Sequence, residues 1–388
     1  MRVALVSSGS GSRGGGEIYL AFLAEGLTEQ GVTVTALLPQ RPETDELAAR
    51  VARFCVVERF DFRPTYTRAT RVIGASTDRQ QSRAVARKLA TLAVDVIHVN
   101  QQVAEDGLDL VRAAALSSKP WISTIHVGRS ARDLGARFGG LRDWITQRAL
   151  RGLLGDHIAV SAASRAQLAA RLGEGPVAPR LHTVLNGVPV PDPTAVVAAR
   201  AKARSDWGVE DGEVVVGMVG RIEAQKDPLA LVRHLEPLAN NGMALRIVWI
   251  GDGGLRRALE MRVGLVTARM PLVIDGWRDD AALRLAGLDI FMMPSRFEGL
   301  PLALLEAMHV ALPAVARATD GVGEALCHGE TGMLCQSDAD WQASLEQLVR
   351  DPALRARIGA AAQKRARARF SISSMAADTK PLYEKLAG

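Results

Sequence analysis

The sequence predicts an α/β protein built from two doubly wound domains, each a parallel sheet wrapped by helices. Three observations predict this. The chain has 388 residues, 48% of them hydrophobic, which is long for one domain and comfortable for two. Short apolar runs alternate with helix-period segments, the pattern of βαβ units. The alternation breaks once, at Val188-Pro-Val-Pro-Asp-Pro193, whose prolines resist both helix and central strand, and then restarts. The domains expected are therefore residues 1–190 and 191–370, with a closing helix over 371–388 that crosses back to the first.

The elements follow in order. Residues 2–7 form a first apolar strand, and a glycine-rich turn (9–16) leads into a helix over 17–30. Gly31 breaks that helix, and residues 32–38 alternate as a strand ending at Pro39. Further strands are expected at 94–99, 121–125 and 157–160. After the proline-rich segment comes an Ala/Arg-rich helix over 193–205. Strands then recur at 213–219, 245–250, 272–274, 290–293 and 314–316. Ligand clefts in such folds lie at the carboxyl ends of the strands, so the two domains are expected to face each other across one.

Composition excludes several classes. No apolar run approaches the roughly 18–20 residues that span a bilayer, and the apolar stretch of Met1–Ser7 is too short for a signal peptide. Three cysteines, Cys55, Cys327 and Cys335, make neither a disulfide scaffold nor a paired zinc site, so a cytoplasmic protein is expected. Positive charge is uneven: residues 1–190 hold 24 Lys and Arg against 17 Asp and Glu, and the remainder 24 against 25. Much of the excess lies between Arg50 and Lys88. Such a surface attracts phosphate-rich partners, while an ordinary solvated arginine-rich helix face accounts for it equally well.

Gly9-Ser10-Gly11-Ser12-Arg13-Gly14 matches the glycine pattern of a dinucleotide turn. The second strand, however, ends Ala36-Leu-Leu-Pro-Gln40, with no acid to hold ribose hydroxyls, and no Lys follows as in a Walker loop. What remains is a set of backbone N–H groups opening a helix, which suits a phosphate.

The second half carries the stronger signals. Val219-Gly-Arg221-Ile-Glu-Ala-Gln-Lys226 sets two cations five residues apart after a strand, able to clamp two phosphates. Met293-Pro-Ser-Arg-Phe-Glu298-Gly-Leu-Pro-Leu-Ala-Leu-Leu-Glu306 holds two carboxylates eight residues apart. With Pro301 as first helical residue, Glu298 lies in the turn before the helix, and the N–H groups near Gly299 and Leu300 face an anion. Glu306, set among apolar neighbours, can accept two hydrogen bonds from a ribose diol. Ile274-Asp-Gly-Trp-Arg278 follows another strand and offers backbone groups to a base. Singly, these are loop cations, a helix glutamate and an ordinary turn; together, at strand ends, they point to a nucleoside diphosphate.

The combination resembles the retaining GT-B glycosyltransferases of family 4 over nearly the whole chain. Gly14-Gly15-x-Glu17, Leu23-Ala-x-x-Leu27 and Gly31-x-x-Val34 are similar to that family's N-terminal signature. Val160-Ser161 and Val184-Leu-Asn186-Gly187-Val188 resemble its inter-domain segments, and Gly329-x-Thr331-Gly332 its late glycine turn. The resemblance implies that Arg221 and Lys226 neutralise the donor diphosphate, and that Gly15, Gly16, Gly299 and Leu300 contact phosphate or sugar. It implies that Glu306 holds the ribose, Glu298 the transferred sugar near its 3-hydroxyl, and that Arg278 borders the base through its backbone. His126, in Ser123-Thr-Ile-His126, matches the family's strand-end histidine that touches the donor sugar. By itself it reads as a strand-end histidine with a satisfied hydrogen bond.

The implied enzyme is a retaining hexosyltransferase that uses a UDP- or GDP-sugar and needs no cofactor and no metal, since no DxD motif stands at a strand end. Its partners would be a glycan or lipid-linked acceptor of surface polysaccharide synthesis and an anionic inner-membrane surface, with no nucleic acid. Leu141, Trp144, Ile145 and Ala149, near Arg142, Arg148 and Arg151, share a helix face that suits either the core or such a surface. The alternative is a sugar-nucleotide epimerase or hydrolase of the same fold. The chain departs from the family at Gly16, at Asp227 and at Ala311, the last two standing where glycine is frequent; none removes an expected ligand.

Overall fold

The computed structural model describes Met1 to Gly388 apart from residues 10, 12, 13, 177 and 267–269. Ser10, Ser12 and Arg13 of the first glycine motif thus lie outside the described residues. The chain divides into two compact units: Met1–Gly187 with Ile372–Gly388, and Val188–Ser371.

The first unit carries β1 (Arg2–Ser7), β2 (Thr33–Pro39), β3 (Val56–Phe60), β4 (Val96–Val103), β5 (Trp121–Val127), β6 (Asp156–Ala159) and β7 (Arg180–Thr183). Their order is β3-β2-β1-β4-β5-β6-β7, every pair parallel. Val3, Ala4, Leu5 and Val6 are all fully buried, as a central parallel strand covered on both faces requires. The helix Gly15–Glu29 lays Tyr19, Leu20, Leu23, Ala24 and Leu27 into the core at spacings of three and four. Gly31, in the left-handed region at φ 77°, ends it. The helix Ile372–Ala387 packs against this one where Gly26 leaves room: a Cβ there would meet the Ile372 carbonyl oxygen at 2.6 Å. Its Tyr383 is fully buried, with the hydroxyl 2.5 Å from His98 Nδ1.

The second unit carries β8 (Val214–Val219), β9 (Leu245–Ile250), β10 (Leu272–Gly276), β11 (Ile290–Met293), β12 (Ala314–Arg317) and β13 (Met333–Cys335). They run parallel in the order β10-β9-β8-β11-β12-β13. Trp249 of β9 is fully buried, and its indole N–H donates to the Gly220 carbonyl at 2.7 Å, so the polar tip of a large core residue fixes the loop after β8. Next to β10, Arg284 forks onto Asp275, donates to Asp206 at 2.9 Å, and lies 5.1 Å from the Trp207 ring centre.

Three strands escape the sequence reading: β3, β7 and β13. All are edge strands. An edge strand has one neighbour and less cover, so Val-Val-Glu-Arg-Phe and Arg-Leu-His-Thr serve without a continuous apolar run.

Each sheet has one place where strand order reverses: between β1 and β4 in the first unit, and between β8 and β11 in the second. The crevice outside the carboxyl ends of such strands is where open α/β sheets bind ligands.

Candidate functional site

In the second unit the loops that leave β8 and β11 are laced together. The Arg296 N–H donates to the Gln225 carbonyl at 2.8 Å, and the Gln225 side chain donates to the Phe297 carbonyl at 3.1 Å. This brings Lys226, at the end of the short turn Ala224–Lys226, to Glu298: Nζ lies 2.5 Å from Oε1. The two side chains are only 16% and 8% exposed, so each charge depends on the other for compensation. The Glu298 N–H donates to Asp320 Oδ2 at 2.9 Å, fixing the turn before the helix. Arg221 is exposed; its carbonyl accepts from the Glu223 N–H at 2.9 Å, and no hydrogen bond or ion pair engages its guanidinium among the described residues. The site thus offers one compensated and one available cation at the switch point.

The helix after β11 runs Leu302–His309, with Pro301 extended at its N-cap. The expectation of Pro301 as first helical residue is therefore corrected by one position, and Gly299 and Leu300 lie just before the helix. Both are buried, and the Gly299 carbonyl is taken by the Gly321 N–H at 3.0 Å. Glu306 is half-buried within this helix. Arg278 has its guanidinium occupied by Asp280 two residues on, at 2.9 and 3.2 Å, which leaves its backbone rather than its fork for a ligand. The two positions where glycine is frequent in the resembled family, Asp227 and Ala311, both have left-handed backbone, at φ 48° and 57°. The exception is in side chain and not in conformation.

In the first unit Gly15 and Gly16 open the helix after β1, in the first turn where N–H groups have no helical partner. A Cβ at Gly16 would meet the end of the Gln102 side chain at 2.1 Å, so a larger residue there requires that side chain to move. His126, on β5, is buried. Its Nε2 lies 2.8 Å from Asn100 Oδ1, and its ring stands edge-on to Tyr19 with centroids 4.5 Å apart. The structure adds residues the sequence reading missed: Asn100, Tyr19, His98, Tyr383 and Asp320. Asn100-Gln-Gln was the one available signal, a polar run at the tip of an otherwise apolar strand. A separate cavity of about 760 Å³ opens between Gly9, Arg41, Thr44, Arg63 and Thr70.

Burial holds the imidazoles neutral, pushing His98 and His126 down to about 3 and His157 to about 4. A folded-state pKa below the ordinary 6.5 means that the unfolded chain binds the extra protons. Stability contributed this way is full above pH 6.5 and is lost as pH falls. Each histidine is expected to withdraw about 1.4 kcal/mol per pH unit. Asp109, raised to about 6 by burial, offsets one of them between pH 6 and 4. Urea midpoints followed from pH 7.5 to 4.5 check this; a flat profile would contradict neutral buried imidazoles.

Two family models match the chain: "Glycosyl transferases group 1" over residues 199–365 and "Glycosyltransferase Family 4" over residues 13–190. Among curated proteins, the D-inositol 3-phosphate glycosyltransferase of Pseudarthrobacter chlorophenolicus is 27% identical, over 94% of this chain and 91% of that protein. The alpha-D-kanosaminyltransferase of Streptomyces kanamyceticus is 28% identical over 49% of this chain and 50% of that protein. Among solved structures, Anabaena HepE in complex with UDP and glucose superposes with a TM-score of 0.77 at 20% identity, covering 98% of this chain and 99% of that one. The sucrose-phosphate synthase of Thermosynechococcus elongatus has a TM-score of 0.77 at 21% identity, covering 100% and 99%. At these identities the structures establish a shared fold.

Proposed function

This chain belongs to the group 1 glycosyl transferases, with the GT-B fold, and on that premise we propose that it is a retaining, metal-independent transferase. It moves a sugar from a UDP- or GDP-sugar to a hydroxyl of a glycan or glycolipid acceptor in surface polysaccharide or lipid-linked glycan synthesis. The observation that carries this is the pair Lys226–Glu298 beside Arg221 at the switch point of the second unit. Loss of a nucleoside diphosphate needs fixed positive charge where negative charge develops. Lys226 and Arg221 supply it, with the N–H groups of Gly299 and Leu300 beside them. Glu298 then exchanges its ammonium partner for a sugar hydroxyl, and Glu306 takes the ribose diol. In the first unit, Gly15 and Gly16 offer N–H groups to phosphate, and His126 meets the sugar. The cavity beside Arg63 is the proposed place of the acceptor.

The test is thermal stability with UDP, GDP, ADP and NADH, each without added metal. A ligand of the native state alone adds about 2.7 kcal/mol at a hundredfold excess over Kd. A shift with one nucleoside diphosphate supports the reading. A shift with NADH alone overturns it, and release of nucleotide from the matching sugar donor without acceptor would favour the epimerase or hydrolase. Product anomeric configuration by NMR tests retention.

Docking on an anionic membrane face is part of the same proposal. Phe138, Leu141 and Trp144 are 69%, 50% and 60% exposed, with Arg137 and Arg148 exposed nearby. Ile145 and Ala149 pack instead against the core of the first unit, and Arg142 is held by Glu105. Flotation with anionic liposomes tests it, and absence of binding at low salt would end it.

A further inference from the structure

The amide of Asn100 stands between two groups, and only one arrangement of its hydrogens satisfies both. Its Nδ2 lies 2.7 Å from the Gly16 carbonyl oxygen, and its Oδ1 lies 2.8 Å from His126 Nε2. A backbone carbonyl only accepts, so the amide nitrogen must face Gly16 and the amide oxygen must face the imidazole. That oxygen also only accepts, so the proton must sit on Nε2. The alternative amide orientation would set oxygen against the Gly16 carbonyl and N–H groups against the imidazole, losing the bond to Gly16. The imidazole is buried and neutral, with its pKa pushed down to about 3, so it carries one proton. Its other nitrogen, Nδ1, therefore presents a lone pair. No hydrogen bond reaches Nδ1 from the described residues, and the Tyr19 ring packed against the imidazole at 4.5 Å is buried and uncharged, held up to about 12.

We propose that Asn100 is a positioning residue that fixes His126 as the Nε2–H tautomer, so that the imidazole meets its ligand at Nδ1 as an acceptor and selects a hydroxyl. The inference deepens the transferase reading and rests on it for the identity of that hydroxyl, a hydroxyl of the transferred sugar. A phosphate or carboxylate oxygen carries no proton at neutral pH and would face the Nδ1 lone pair, so the diphosphate is turned away from this position. A hydroxyl donates to it. The same amide also donates to the Gly16 carbonyl at 2.7 Å, in the first turn of the opening helix. A residue that only supported packing would have no effect on where the imidazole proton sits.

Two measurements test this. The first is long-range proton–nitrogen NMR on the ligand-free full chain with labelled histidine, the His126 signals being identified by their loss in His126→Gln. The expected result is a protonated Nε2 and an unprotonated Nδ1. In Asn100→Ala the His126 signals are expected to shift toward the Nδ1–H form. In Asn100→Asp, which keeps an acceptor at the same place, the Nε2 proton is expected to remain. A wild-type ring protonated at Nδ1, or a tautomer unmoved in Asn100→Ala, overturns the proposal. The second compares binding of UDP with UDP-glucose, and of GDP with GDP-mannose. In Asn100→Ala the affinity for the bare nucleotide is expected to hold, while the gain from the attached sugar falls about tenfold, the size of one lost hydrogen bond. Loss of bare-nucleotide affinity with the sugar increment intact overturns it. If the wild type binds neither pair, the donor reading fails, and the tautomer measurement still decides the role of Asn100.

Discussion

Lys226→Ala is expected to lower kcat about 10²–10³-fold, the cost of removing one preorganised group that stabilises developing charge, and to weaken binding of the nucleoside diphosphate. Glu298→Gln is expected to separate the two roles. It keeps the shape of the side chain, frees the ammonium that Glu298 engages at 2.5 Å, and loses transfer while nucleotide affinity holds or rises. Steady-state kinetics with nucleotide titrations, on variants shown to be folded by circular dichroism, check both. A Lys226→Ala enzyme with kcat within threefold of wild type would remove Lys226 from the chemistry and return the pair to a purely structural role.

Arg284→Ala is expected to cost the second unit about 3–5 kcal/mol, the range for leaving one partner of a buried ion pair uncompensated. The Arg284 side chain is 3% exposed and Asp275 12%, and the guanidinium also reaches Asp206 and the Trp207 ring. Its loss strands a carboxylate and opens space beside the helix Pro193–Asp206. Arg284→Met with Asp275→Asn is expected to recover part of the loss by removing both charges while filling the volume. Urea denaturation of the three proteins decides it; a single-variant cost below about 1 kcal/mol, the range for exposed pairs, would show the pair is solvated.

The central strands were legible because burial on both faces demands apolar runs: β1, β9 and β11 fall on the expected residues, and only the edges were missed. The donor residues were legible because charged side chains at strand ends stand out against such runs. Their pairing was not, since the contact of Lys226 with Glu298 depends on β8 and β11 becoming neighbours, which sequence spacing does not reveal. Asn100 was missed for a different reason. The apolar run 94–99 predicts a strand that ends at residue 99, whereas β4 continues to Val103 and carries the amide into hydrogen-bond reach of β5. Helical spacing alone places Ile145 and Ala149 on one face with Leu141 and Trp144. The structure splits the group, because a helix lying on a sheet buries only part of its circumference.

The return of residues 372–388 to the first unit sets an order of events during synthesis. Domains generally complete their folding as the chain emerges, the earlier one first. Here the sheet β1–β7 leaves the ribosome early, yet the helix that covers its opening helix and seats Tyr383 on His98 arrives only after all of the second unit. The later-made unit is thus the first able to close its core. Meanwhile the earlier one stays uncapped, with the face around Gly26 and the His98 imidazole open to solvent, to chaperones and to proteases until the final turns of helix are added.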